Sequence, residues 1–137
     1  MLDFLFKKEK ISLDAEKLLY IHIEAGVLSI YDIMPGWLLS GQYEDMKKHR
    51  GLLGKYLITN RKNIKKISPQ LSLIPDIGTT MGFLGASDYI TEVISEKKYH
   101  NLRKNPPSEH DVEKICNSVS KLVIKEVEGF LKLNGLL

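Results

Sequence analysis

The sequence predicts an α+β fold: one domain over residues 1–137, with an antiparallel or mixed sheet, short helices and a long C-terminal amphipathic helix. Three observations predict it. Residues 18–23 and 27–33, rich in Ile, Leu and Tyr, flank Glu24-Ala25-Gly26 in the manner of a β-hairpin. Lys55-Tyr56-Leu57-Ile58-Thr59, set between Gly54 and Asn60, carries strand-forming residue types. Beyond Pro106-Pro107, apolar residues recur every three or four positions, the period of a helix. A chain of 137 residues and 15.6 kDa that is 43% hydrophobic can bury a core without a disulfide or metal staple.

Taken in order, residues 1–10 form a lead-in whose Phe4, Leu5 and Phe6 dock on the domain. They precede Lys7 and Lys8, the reverse of the order in a secretory signal. In the hairpin, polar His22 and Glu24 alternate with Ile21 and Ile23; a helix over 13–24, capped by Ser12 or Asp14, competes with it. Met34-Pro35-Gly36 turns the chain, and Trp37-Leu38-Leu39-Ser40 resumes as a strand. Residues 43–49 fit a short helix with Glu44 and Asp45 in its first turn, where the helix dipole favours negative charge, and Gly51 ends it.

After the strand at 55–59, Asn60 or Asn63 starts a helical stretch with Ile64 and Ile67 on one side and lysines on the other. Pro69 fits the first turn of another short helix carrying Leu71, Leu73 and Ile74. Pro75-Asp76-Ile77-Gly78 is turn chemistry and 79–84 a strand. Residues 88–96 suit a strand by residue type and a helix by the spacing of Ile90, Val93 and Ile94. The final helix, 108–133, opens on Ser108 and Asp111 as a capping box. It carries Val112, Ile115, Cys116, Val119, Leu122, Val123, Val127, Phe130 and Leu131 on one face, with Gly135 beyond its end.

The net charge of +3 conceals blocks. Residues 1–46 hold four bases and eight acids, whereas 47–66 hold eight bases and no acid. Such a block is either a solvated face neutralised in the fold or a basic patch for an acidic partner. Only Tyr43 and Tyr56 lie near it to stack bases, and it has no helix-turn-helix, zinc or glycine–aromatic signature. No charge-free stretch, 67–75 and 77–87 included, is long enough to span a membrane. The single cysteine cannot form an internal disulfide, and the chain reads as cytoplasmic.

Little in the sequence points to catalysis. His22, His49, His100 and His110 lie in separate segments without helical metal-site spacing, and Cys116 falls on an apolar face as a core residue. Gly78-Thr79-Thr80-Met81-Gly82-Phe83-Leu84-Gly85 lacks the Lys-Ser/Thr that closes a phosphate-binding loop. Adjacent Glu44 and Asp45 point apart on a helix and do not make an acid–base pair. Trp37 is either a core anchor or the lip of a binding surface.

Two stretches are similar to a known family. Pro35-Gly36-Trp37-Leu38-Leu39-Ser40-Gly41-Gln42-Tyr43-Glu44-Asp45-Met46 resembles a Gly-Trp, Ser-Gly, acidic-pair segment. Tyr56-Leu57-Ile58-Thr59-Asn60, then Ile64-Lys65-Lys66-Ile67-Ser68-Pro69, Leu71, Ile74 and Gly78-Thr79, resemble a strand ending in Asn, a helix and a turn. Both occur in a bacterial family of uncharacterised domains placed among the polymorphic-toxin immunity proteins, the type numbered thirty-three. The resemblance covers about residues 28–84 and leaves the last helix outside it. It implies a small α+β protein that binds a partner and is not an enzyme.

The functional expectation is therefore a non-catalytic protein-binding domain, of the immunity type, that occludes a cognate toxin. The basic block directs it to an acidic surface and away from a nuclease, whose immunity protein is expected to be acidic. Lys47, Lys48, Arg50, Arg61, Lys62 and Lys66 are the expected steering residues, with Trp37 and Tyr43 as anchors. A nucleic-acid-binding accessory domain using the same bases is the alternative. No cofactor or metal is called for, and a homodimer along the apolar face of the last helix is compatible with either reading.

Overall fold

The computed structural model of the chain describes residues 10–30, 51–93 and 107–137, with residues 97, 101, 104 and 105 between them. Five helices organise these residues: α1 (Leu13–Leu28), α2 (Leu52–Thr59), α3 (Arg61–Lys65), α4 (Ile74–Val93) and α5 (Glu109–Leu133). A 3-10 turn at Leu71–Leu73 leads into α4. Among the described residues every regular element is a helix, so the expected α+β fold is corrected to an all-helical one.

α1 replaces the expected hairpin. Ala15, Leu19, Ile23, Gly26 and Val27 are its buried residues, and the step of three from Ile23 to Gly26 fits one side of a helix and not one face of a strand. The Ser12 Oγ accepts the Ala15 N–H at 3.2 Å as N-cap, and the Ser12 N–H donates to the Ser68 Oγ at 2.6 Å. Of the two readings left open for residues 13–24, the capped helix is the one that forms.

α4 replaces both the expected turn at 75–78 and the strand at 79–84. Pro75 lies in its first turn, where the missing N–H costs no hydrogen bond. Two of its glycines are contact points with α1: a Cβ on Gly78 would lie 2.6 Å from the His22 Cβ, and one on Gly82 would strike the Ile23 carbonyl. Gly78 lies against Leu19 and Ile23, and Gly82 against Ile23 and Val27, so α1 and α4 run in the same direction at close backbone approach. This is the most extensive helix pair of the fold. The ambiguous stretch from 88 is helical through Val93; 94–96 lie outside the described residues.

The expected strand at 55–59 is instead the body of α2. Leu53 and Leu57 are buried one turn apart, while Lys55, Ile58 and Thr59 face water. Gly51 precedes α2 and supplies no side-chain cap. Asp88 of α4 takes that role, its two carboxylate oxygens accepting the Leu52 N–H at 3.1 Å and the Leu53 N–H at 3.0 Å. α3 begins after Asn60 and buries Ile64, with Ile67 buried just beyond; both face inward as the sequence predicts.

α5 is the expected terminal helix. The Ser108 Oγ caps it through the Asp111 N–H at 3.2 Å. At the other end Gly135 (φ 68°) closes a Schellman motif, with Leu136 N–H to Leu131 carbonyl at 2.8 Å and Gly135 N–H to Lys132 carbonyl at 3.1 Å. Val112, Cys116, Val119, Val123, Val127 and Leu131 enter the core shared by α1, α4 and α5. Those six residues are therefore spent on the chain's own core. α1 and α5 run antiparallel, and the Ile11 N–H donates to the Leu136 carbonyl at 2.8 Å.

Candidate functional site

The strongest chemical asymmetry on the described surface lies on α2 and α3. Between residues 51 and 75 the chain has five bases, Lys55, Arg61, Lys62, Lys65 and Lys66, and no acid. All five are exposed, because Leu53, Leu57, Ile64 and Ile67 take the inward positions of the same short helices. Ile58, 74% exposed, stands among them.

Arg61 and Lys65, like Lys62 and Lys66, are four residues apart, the spacing at which like charges on a helix repel. Lys62 and Lys65 in the last turn of α3 gain from the helix dipole, an effect of a few tenths of a kcal/mol that only offsets the repulsion. Stability of a five-residue helix therefore does not account for the cluster.

Of the expected steering residues, Arg61, Lys62 and Lys66 fall on this surface, as α3 residues and its C-cap. Trp37, Tyr43, Lys47, Lys48 and Arg50 lie outside the described residues, as do the strand expected at 37–40, the helix at 43–49 and residues 1–9 of the lead-in. Sequence reading missed Ile58, because a strand would have turned it toward a sheet neighbour. Its position five residues after Leu53 is the signal that a helical reading would have used.

A second feature is a surface cleft of about 370 Å³ between α1 and α5, lined by Glu24, Leu28, Asn117, Ser120, Lys121 and Ile124. One carboxylate, one ammonium and two apolar side chains converge there.

The groups with displaced acidities lie elsewhere. The Cys116 thiol is buried in the core, and burial pushes its pKa up, so it stays protonated and is a poor nucleophile. Burial, then the charges of Glu128 and Glu16, raise the Tyr20 phenol, whose buried oxygen has no hydrogen-bond partner. Burial and a 2.6 Å bond to the Glu126 carboxylate raise Tyr89. Tyr56 is also raised, chiefly by burial. None of the four lines the cleft.

Among the described residues no three His, Cys, Asp or Glu side chains converge on a point that could hold a metal ion. No described helix is long and apolar enough to cross a membrane. No protein-family model, no curated protein and no solved structure matches the chain.

Proposed function

We propose that the chain is a non-catalytic binding protein that engages an acidic protein partner through the α2–α3 surface. An immunity protein acting in the cytoplasm, occluding a cognate bacterial toxin, is the specific form this reading takes. The observation that carries it is the run of exposed bases along α2 and α3, where the chain between residues 51 and 75 has no acid, with an exposed isoleucine on α2. The bases steer an acidic surface into contact, and Ile58 supplies the apolar contact that a protein interface buries at its centre. A phosphate backbone would meet the same bases but has no use for Ile58.

The test is affinity capture of the tagged protein at about 0.15 M salt, with and without added nuclease. One acidic protein should be recovered stoichiometrically in both conditions. An R61E/K62E/K66E triple variant should slow its association about tenfold or more and flatten the salt dependence. Loss of every partner on nuclease treatment, or an unaltered rate in the triple variant, would overturn the reading.

A further inference from the structure

The outward face of α1 has a symmetry of its own. Leu13, Lys17, Ile21, Glu24 and Leu28 are all exposed, the three apolar side chains at 63%, 59% and 47%. At 100° per residue the five fall within an arc of about 80°, so they form one stripe along the helix. Reversed, the stripe keeps its apolar positions and exchanges its charges: apolar, basic, apolar, acidic, apolar, with Leu13 and Leu28 equidistant from its centre and Lys17 and Glu24 likewise. Lys17 and Glu24 stand two turns apart, about 10 Å along the axis, and cannot pair within one chain.

We infer that a second copy of this chain docks on α1, antiparallel, about a two-fold axis beside Ile21. In that arrangement Ile21 meets Ile21 of the second copy across the axis. Lys17 faces Glu24 of the second copy, and Glu24, which shares its cleft with Lys121 of its own chain, faces Lys17, so two symmetric ion pairs cross the axis. Leu13 of the second copy comes opposite Leu28, and Leu28 together with Ile124 lines the cleft between α1 and α5. Each copy thus supplies both a projecting leucine and a hollow, as an interface using the same patch on both partners requires.

Charge complementarity selects this occupant, because the stripe matches itself only when it is reversed. The contact runs about 22 Å along one helix and sits at the low end of specific interfaces, so the dimer is reversible. It does not depend on the function proposed for the α2–α3 surface.

Sedimentation equilibrium over about 1 μM to 0.5 mM protein is the test. The mass should climb from 15.6 kDa toward twice that value with concentration. K17E and E24K should each weaken self-association about tenfold or more, since each places like charges opposite one another. Mixing the two variants should restore association as a heterodimer, and the K17E/E24K double variant should dimerise like the native chain. The recovery separates an interface effect from a folding defect. A chain that stays at 15.6 kDa throughout would overturn the proposal and leave the face to a partner of other sequence. Single variants that dimerise unchanged, or a mixture that does not recover, would overturn it equally.

Discussion

Replacing Gly82 by alanine tests whether the seam between α1 and α4 holds the fold together. A methyl at Gly82 would lie 2.9 Å from both the Ile23 carbonyl carbon and the Val27 nitrogen, against an ordinary contact of 3.4–4 Å, and closer still to the Ile23 oxygen. All three atoms are backbone, so no side chain can rotate away and the helices must separate by at least about half an ångström. A gap of about 0.5–1 Å forfeits a quarter to a half of each dispersion contact it opens. The seam it opens buries Leu19, Ile23, Val27, Ile77 and Met81.

Overpacking of this kind costs about 1–3 kcal/mol and more where backbone must move, while removing a helical glycine returns about 1 kcal/mol. Steric cost wins, and G82A should lose about 2 kcal/mol, or roughly 6–10 °C in Tm for a chain of this size. Gly129 of α5 is the control, since a methyl there meets nothing within 4 Å. G129A should gain about 0.5–1 kcal/mol from helix propensity alone. Urea unfolding followed by circular dichroism measures both. A G82A chain as stable as the native one would refute the close approach of the two helices.

The same unfolding assay checks two further expectations. D88A removes both acceptors at the start of α2 and should cost about 1–2 kcal/mol, with D88N, which keeps one, losing less; equal stability of all three chains would mean that α2 does not depend on this cap. Y89F breaks the 2.6 Å bond to Glu126 and should cost about 1 kcal/mol, whereas Y20F removes an oxygen that lies beside the Glu16 and Glu128 carboxylates without a well-formed hydrogen bond and should cost less. Both phenols titrate above their ordinary value in the folded chain, so between the unfolded value, about 10, and the folded one the native state holds more protons. Their contribution is complete below about pH 10 and is lost as pH rises through the higher folded values, so a urea midpoint unmoved between pH 9 and 11 would contradict it.

What could be read from the sequence was the element with contrast. α5 alternates polar and apolar residues around its circumference and opens on a capping serine, and both its ends fall where the pattern puts them. α1 and α4 lack that contrast. Leu13, Ile21 and Leu28 are exposed on the outside of α1 and Phe83 on α4, so apolar residues surround each helix and blur the period. The β-branched and aromatic residues between 18 and 33 then favour a strand, although buried positions 15, 19, 23, 27 and 30 already repeat as a helix does.

Glycine misled for a different reason. Gly78 reads locally as a turn and Gly82 as part of a strand, but each is a place where the α1 backbone passes too close for a side chain, which only the folded structure reveals. On the candidate surface, Arg61, Lys62 and Lys66 were legible because charge needs no secondary structure to be noticed. Ile58 was not, since its exposure depends on which element carries it.

The bond between Ile11 and Leu136 ties the first described helix to the final residues of the chain. During synthesis the α1–α4 pair is complete once residue 93 has emerged, with the side that α5 will cover still open to water. At about 5–20 residues per second, the remaining 43 residues up to Leu136 take roughly 2–9 s to translate. For that interval the nascent chain presents the side of the pair that α5 later meets, around Tyr20, Gly85 and Tyr89, and a ribosome stalled there leaves a sticky half-product. How long this half-built pair stays open therefore depends on how quickly residues 94–136 follow, and on what shields it meanwhile.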